Sequence, residues 1–151
     1  MKRLHVHIAV DDLSENIHFY SAIFGVAPTT QHKDYVKWQL NNPAVNFALS
    51  KRGQKNGINH LGIQVDTETE LAEIQENLEK ARIMSAKQEN TSCCYSNSNK
   101  HWSLDPQGIV WEAFHTLGNI PVYGEEAENS SKSETSACWF PSEMESTTSC
   151  G

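Results

Sequence analysis

The chain has 151 residues and a formal net charge of -7 at neutral pH. This length fits about one domain with enough mass for a sizeable core. No apolar run approaches the roughly 20 residues that cross a bilayer, and an acidic chain without a basic patch excludes nucleic acid and anionic membranes as expected partners. Because the first residues run into a strand pattern rather than a signal peptide, we predict a cytoplasmic protein whose four cysteines stay reduced.

The first predicted elements are a strand, a helix and two further strands. Residues 4–11 alternate as a strand does, and apolar residues then recur at helical spacing over 13–24. Gly25 is well placed to end this helix, since glycine readily adopts the left-handed conformation of a helix C-terminus. Segments 35–40 and 45–49 read as the strands that follow.

The second half of the body repeats this order. Residues 59–66 match residues 4–11 at an offset of 55, so that His60 corresponds to His5 (60 minus 5). A helical pattern and two strand-like segments follow, at 67–81, 101–104 and 109–115. The repeat predicts an α+β fold of two βαβββ modules, residues 1–57 and 58–117, whose sheet curves around a shared cleft.

Residues 118–151 differ from the body in composition. They hold six Glu and one Lys, a net charge of -5, and are rich in Ser and Thr. Such a segment buries too little apolar surface to fold alone, which predicts a flexible acidic tail. Cys138 and Cys150 lie in this tail, and the sequence leaves open whether they have a role in docking or metal delivery.

Three residues of the repeated modules predict a metal site. His5 and His60 correspond across the repeat, whereas the residue that matches His7 is Gly62. Glu112 interrupts an apolar strand, where a carboxylate needs a metal ion or an ion-pair partner. Two histidines and one carboxylate form the facial triad that suits non-haem Fe(II) and dioxygen chemistry, although zinc, manganese and nickel accept the same ligands.

The adjacent cysteines Cys93 and Cys94 form a second candidate site. Neighbouring side chains on a strand point to opposite faces, so both sulfurs reach one atom only where the backbone bends. The polar residues of segment 91–99 predict a loop there. A thiol pair selects soft centres, which leaves trivalent arsenic, cadmium, zinc and copper(I) as candidates. Lys100 and His101 are near in sequence and are read either as thiolate-promoting cations or as solvated loop charges.

These residues also carry a family resemblance over residues 1–117. The segments His5–Leu13, Phe19–Gly25, Asn59–Val65 and Trp111–Glu112 resemble the vicinal oxygen chelate superfamily, which includes glyoxalase I and extradiol dioxygenases. Within that superfamily, Thr91–Tyr95, Lys100–Trp102 and Asp105–Gly108 resemble the organoarsenical carbon-arsenic lyases and cadmium-induced proteins.

The resemblance implies an enzyme that uses Fe(II) and O2 to cleave the carbon-arsenic bond of trivalent methyl- or aryl-arsenicals. The products would be arsenite and an oxidised organic fragment. Carried over residue by residue, the resemblance makes His5, His60 and Glu112 the metal ligands and Cys93 and Cys94 the arsenic ligands. Whether the chain forms a homodimer is left open.

Two other functions use parts of the same residue set. A sequestration protein for cadmium or arsenite would need the cysteines alone, and a ring-cleaving dioxygenase for catechols would need the triad alone. Aligning residues 45–49 with 110–114 places Phe47 where a fourth metal ligand would lie. Since Phe47 cannot bind metal, glyoxalase I is disfavoured.

Overall fold

A computed structural model describes residues 1–121, and the order of their elements repeats once. The first module comprises β1 (Arg3–Ala9), α1 (Leu13–Phe24), β2 (Thr30–Gln31), β3 (Tyr35–Asn41) and β4 (Ala44–Ser50). The second comprises β5 (Gly57–Val65), α2 (Glu68–Lys80), β6 (Ala86–Cys93), β7 (Ser96–Leu104) and β8 (Val110–Asn119). The predicted pair of βαβββ modules is therefore confirmed.

All eight strands belong to one sheet, in the order β2-β3-β4-β1-β5-β8-β7-β6. The antiparallel pair β1 and β5 joins the two modules at the centre of the sheet. On each side the first strand of a module pairs in parallel with its last strand, β1 with β4 and β5 with β8. The repeat in sequence is thus a repeat in space, with the two copies related about the β1–β5 seam.

The helix ends follow from local sequence. Asp12 precedes α1, and its carboxylate accepts a hydrogen bond of 2.9 Å from the Glu15 backbone N–H. Gly25 ends α1 with φ of 69°, as predicted from its lack of a side chain. Thr67 precedes α2 in the same way as Asp12 precedes α1.

The two faces of the sheet have opposite character, because successive residues of a strand point to opposite sides. One face of the first module packs Val36, Trp38 and Leu49 against α1 as the hydrophobic core. The other face carries the residues between these positions and forms a polar cleft. The strands of the first module therefore turn apolar side chains to the core and polar side chains to the cleft.

The loop predicted over residues 91–99 is wrong. β6 extends to Cys93 and β7 starts at Ser96, so only Cys94 and Tyr95 connect the two strands. β6 is rich in polar residues and has an irregular register near Asn90, where φ is positive, which explains why alternation did not reveal it.

Some predictions fall outside what the structure describes. Residues 122–151, with Cys138 and Cys150, lie outside the described residues, so the flexible tail stays a prediction. Within residues 1–121 no helix has the length and apolar character needed to cross a membrane. The cytoplasmic location and the exclusion of nucleic acid also stay predictions from the sequence. The formation of a homodimer stays an open question.

Candidate active site

The side chains of His5, His60 and Glu112 meet at the floor of the cleft. The Nε2 atoms of the two histidines are 3.2 Å apart. Glu112 Oε2 lies 3.4 Å from His60 Nε2 and 3.8 Å from His5 Nε2. Neighbouring ligands of an octahedral ion with bonds of about 2.1 Å are about 3 Å apart, so these three atoms could hold one metal ion with little movement.

Hydrogen bonds at the far side of each imidazole orient both histidines. His5 Nδ1 donates to the backbone carbonyl of Asn46 over 3.0 Å. His60 Nδ1 lies 2.7 Å from the side-chain oxygen of Asn59. Because Nδ1 carries the proton in both rings, the lone pair of each Nε2 faces Glu112, as metal-binding histidines require.

The protonation states of His5 and Glu112 suit a metal ion. Burial, together with the charge of His60, lowers the pKa of His5 to about 4 despite the opposing effect of Glu112. Burial by itself raises the pKa of Glu112, but the Lys100 ammonium and the two histidines hold that pKa well below its usual range. Near neutral pH the site therefore presents a neutral His5 imidazole and an ionised carboxylate.

Lys100 is part of this site rather than a solvated loop charge, which corrects one reading of the sequence. Its side chain is 3% exposed, and Nζ lies 2.7 Å from Glu112 Oε1. Its ammonium also lies 5.5 Å from the centre of the Trp102 ring. Because Lys100 holds Oε1, only Oε2 faces the histidines. His101, the next residue on β7, is also buried and lies outside the cleft lining.

His7 is a further buried group at the cleft. His5, His7 and His60 each offer a ligand atom within 4.8 Å of the others. His7 Nε2 lies 2.8 Å from the Ser50 hydroxyl, and its Nδ1 has no hydrogen-bond partner among residues 1–121. Burial, with the charges of His60 and His5, lowers the pKa of His7 well below the usual value. A neutral His7 therefore lines the site beside the three predicted ligands.

The predicted position of a fourth ligand was shifted by one residue. Phe47 faces the opposite side of the sheet and packs in the core with Leu13 and Trp38. β1 pairs His7 with Ala48, and β5 pairs Gly62 with Glu112. Since Gly62 matches His7 in the repeat, Ala48 is the true counterpart of Glu112. A shift of one residue exchanges the faces of a strand. Ala48 cannot bind metal either, so the first module still adds no ligand there.

The two cysteines lie at the tip of the β6–β7 hairpin. Cys94 and Tyr95 have φ of 54° and 61°, the conformation of a two-residue hairpin turn usually made by Asn and Gly. This bend brings the two Sγ atoms to 3.0 Å from each other, as the sequence required for binding one atom. That distance exceeds the roughly 2.05 Å of a disulfide, so these two sulfurs are not bonded together.

Cys93 does take part in a disulfide bond in the structure. The prediction that all four cysteines stay reduced is therefore wrong for this residue. A thiolate is needed to bind a soft metal or arsenic, so the Cys93 disulfide has to be reduced before the pair can act as ligands.

One cavity joins the thiol pair to the histidines and Glu112. It has a volume of about 40 Å³, and its lining includes His5, His60, Glu112, Cys93 and Cys94. Polar side chains such as Lys37, Asn46 and Ser98 also line it. The residues directly adjacent to Glu112, Trp111 and Ala113, point to the other face of the sheet, whereas Phe114 lines the cavity. The cleft is thus small, buried and polar.

Tyr95 attaches the cysteine hairpin to the first module. Its hydroxyl donates a 2.5 Å hydrogen bond to Asp34, which is also paired with Arg52 at 2.7 Å. Its ring stacks on His32 with ring centres 3.5 Å apart. Burial and the Asp34 carboxylate raise the pKa of Tyr95 to about 12, so the phenol keeps its proton. These contacts hold Cys93 and Cys94 over the cleft.

We expect Tyr95→Phe to lower the free energy of unfolding by about 1 kcal/mol, because it removes a hydrogen bond to a charged group but keeps the stacked ring. The measurement is urea denaturation of the reduced protein. Tyr20→Phe, on α1 and away from the cleft, is the matched control. Equal stability of the Tyr95 and Tyr20 variants would mean that the Tyr95–Asp34 contact does not hold the hairpin.

The fold and this cleft identify the superfamily. Residues 2–113 match the Glyoxalase/Bleomycin resistance protein/Dioxygenase superfamily, and the chain belongs to it. The fold is also that of the 2,3-dioxygenase LapB from Pseudomonas sp. KL28, with a TM-score of 0.59 and 17% sequence identity. That match covers 78% of this chain and 42% of the dioxygenase, and at this identity it shows the fold alone.

Two relatives with names that state an activity match most of the chain. A protein of Bacillus subtilis (strain 168), named "Probable trivalent organoarsenical cleaving enzyme", is 34% identical over 99% of both chains. The "Trivalent organoarsenical cleaving enzyme" of Bacillus sp. (strain MD1) is 39% identical over 80% of this chain and 76% of its own. The resemblance found in the sequence is therefore confirmed at the level of family.

Proposed function

We propose that this protein is an Fe(II)- and O2-dependent lyase that cleaves the carbon-arsenic bond of trivalent organoarsenicals. The observation that carries the proposal is the single cavity lined both by His5, His60 and Glu112 and by Cys93 and Cys94. The activity named for the two Bacillus relatives supports it. The products would be arsenite and an oxidised organic fragment.

His5, His60 and Glu112 would hold the iron. Bound Fe(II) with open coordination positions supplies the activation of dioxygen. Two observations support this assignment: the three ligand atoms lie within 3.8 Å of one another, and each histidine is oriented by a hydrogen bond at its Nδ1 atom. Lys100 would keep Glu112 in place by holding its other carboxylate oxygen.

Cys93 and Cys94 would bind the arsenic atom. With their sulfurs 3.0 Å apart, the two side chains are arranged to share one soft atom. Binding at the hairpin would leave the carbon substituent of the arsenical pointing into the cavity that His5 and His60 line. Holding the substrate in this orientation replaces a random encounter with an effectively unimolecular step, and the burial of the site limits access of bulk water.

The proposal is tested by turnover. Metal-free, reduced protein is reconstituted with Fe(II) without oxygen, then mixed with methylarsonous acid and exposed to air. We expect arsenite, separated and detected by mass, to form only with iron, oxygen and both thiols present. Cys94→Ser should abolish its formation, while Ser92→Ala, on β6 and outside the cavity lining, serves as the matched control.

The same experiment separates the two other functions. A sequestration protein would bind the arsenical tightly and release no arsenite. A ring-cleaving dioxygenase would open a catechol ring equally well after Cys93 and Cys94 are both replaced by serine. Formation of arsenite by the Cys94→Ser variant would contradict the proposed role of the pair.

We expect arsenical binding to depend on reduction, because Cys93 is in a disulfide in this structure. Treatment with a phosphine reductant, which adds no competing thiol, should raise the amount of phenylarsonous acid bound to near one per chain. Binding is read from tryptophan fluorescence and from the mass of the intact protein. Cys93→Ser, which has no such disulfide, should bind poorly with or without reductant. Full binding to untreated wild-type protein would contradict the requirement for reduction.

A further inference from the structure

Lys37 is a half-buried cation of the cleft that the proposed mechanism does not use. It lies on β3 and lines the cavity from the first module, opposite the cysteine hairpin of the second. Its ammonium has no carboxylate partner among residues 1–121, whereas Lys100 is paired with Glu112. Withdrawing an unpaired charge partly from water is costly, and a negative group in front of Lys37 would offset that cost.

The sheet register places Lys37 beside the cysteines. Lys37 is the direct cross-strand partner of Ala48, and such partners share one face of a sheet. Ala48 packs in one buried cluster with Cys93, and Cys94 lies against that cluster. Burial lowers the pKa of Lys37, and the negative charge of the Cys94 thiolate opposes that effect. Geometry and charge therefore agree on Cys94 as the group that Lys37 faces.

We propose that Lys37 is a positioning residue that stabilises the Cys94 thiolate across the cleft and so speeds capture of the soft atom by the cysteine pair. The arsenical part of this inference rests on the proposed function. The thiolate part does not, since it concerns two groups of the protein alone. A cation beside a thiol favours the ionised form, which is the form that binds arsenic.

Other charged and titratable groups surround the hairpin, and two cations among them have carboxylate partners. Lys100 is held by Glu112 on the cleft floor, and Arg52 is held by Asp34. Tyr35 on β3 faces Cys94, and its burial and the thiolate charge raise its pKa well above the usual value, so it stays neutral. The remaining titratable groups near the hairpin are His5, His7, His32, His60, Cys93 and Tyr95. Among residues 1–121, Lys37 is thus a cation of the cleft lining that has no carboxylate partner and whose charge interacts with Cys94.

The experiment measures the rate at which iodoacetamide alkylates Cys94 as a function of pH. Full-length, metal-free protein is reduced with a phosphine, and alkylation at Cys94 is resolved from that at Cys93 by peptide mass spectrometry. The variants are Lys37→Met, which keeps length but removes charge, and Lys37→Arg, which keeps charge. Lys87→Met, on the same hairpin with an exposed side chain paired to Glu89, is the matched control.

We expect Lys37→Met to alkylate roughly tenfold more slowly than wild type near pH 7, with the difference vanishing at high pH where the thiol ionises without help. Lys37→Arg should restore most of the rate, and Lys87→Met should match wild type. The association rate of phenylarsonous acid should fall in parallel. Lys37→Gln, checked by circular dichroism, provides the same comparison if the methionine variant folds poorly.

An unchanged pH profile in Lys37→Met and Lys37→Gln would overturn the inference. Equal slowing by Lys37→Arg would also overturn it, because a packing role would then explain the effect. Absence of arsenite production in the turnover experiment would contradict the proposed function but leave the alkylation result standing. The two failures are therefore distinguishable.

Discussion

Replacement of Glu112 by glutamine is expected to abolish arsenite formation and to lower the affinity for Fe(II) by at least about 100-fold. The reason is that Glu112 would be the single anionic ligand of the metal, and an amide oxygen binds a hard cation far more weakly than a carboxylate. Metal affinity is measured by calorimetry without oxygen, and turnover by the arsenite assay.

The same substitution should also destabilise the metal-free protein. Glu112 and Lys100 are 5% and 3% exposed, so the variant leaves a buried ammonium without its charged partner. Removing one partner of a buried ion pair costs about 3 to 5 kcal/mol, and we expect the lower end because glutamine still accepts a hydrogen bond. Thermal unfolding with denaturant titration measures this loss.

A double variant separates the two effects of Glu112. Glu112→Gln combined with Lys100→Met removes both charges, so most of the stability should return while iron binding and turnover stay lost. Glu68→Gln, whose carboxylate is partly exposed and paired with His115, is the control for loss of one acidic group. Recovery of turnover in the double variant would show that Glu112 acts only as the partner of Lys100. Normal turnover in Glu112→Gln would exclude the proposed metal site.

Replacement of Gly62 by alanine is expected to have the second largest effect. A Cβ atom at this position would lie 2.1 Å from the backbone carbonyl oxygen of Glu112, where β5 and β8 run side by side. Real contacts of this kind do not occur, so the strands have to separate. We expect a loss of about 3 kcal/mol in the free energy of unfolding, at the upper end of the usual cost of overpacking. Fe(II) affinity should fall as Glu112 moves from the histidines.

Gly118 provides the matched control, since it lies on β8 and an added Cβ would have no neighbour within 4 Å. Gly118→Ala should change stability by less than about 0.5 kcal/mol. Denaturant midpoints and iron affinities of the two variants are compared. If Gly62→Ala binds iron and unfolds as Gly118→Ala does, the close approach of the strands does not constrain the site.

Much of the fold was predictable because the evidence for it is local. Alternation and helical spacing identified β1, β3, β4, β5 and both helices, and Gly25 marked the end of α1. The internal repeat then paired His5 with His60, and the structure brings their Nε2 atoms to 3.2 Å. The two wrong predictions also came from local patterns. β6 was missed because its polar residues show no alternation with apolar ones. An alignment shifted by one residue assigned Phe47, rather than Ala48, to the position that corresponds to Glu112.

The neighbours of the candidate ligands could not be predicted, because they come from strands distant in the chain. Lys100 appeared as a loop charge in sequence, and its contact with Glu112 depends on the pairing of β7 with β8. Tyr95 reaches Asp34 over 61 residues, so nothing near the cysteines revealed what holds them. Nothing in the sequence indicated a role for Lys37, because its interaction with Cys94 forms only when the two modules face each other across the cleft.

The sequence by itself thus determined the duplicated modules, the candidate ligand types and the adjacent thiols, all of which depend on residue identity and short-range periodicity. Only the tertiary structure decided which face each strand turns to the cleft, which cation serves which anion, and that one cavity joins the thiols to the histidines. The physical reason is that strand register and burial set these contacts. Both depend on packing between segments far apart in sequence.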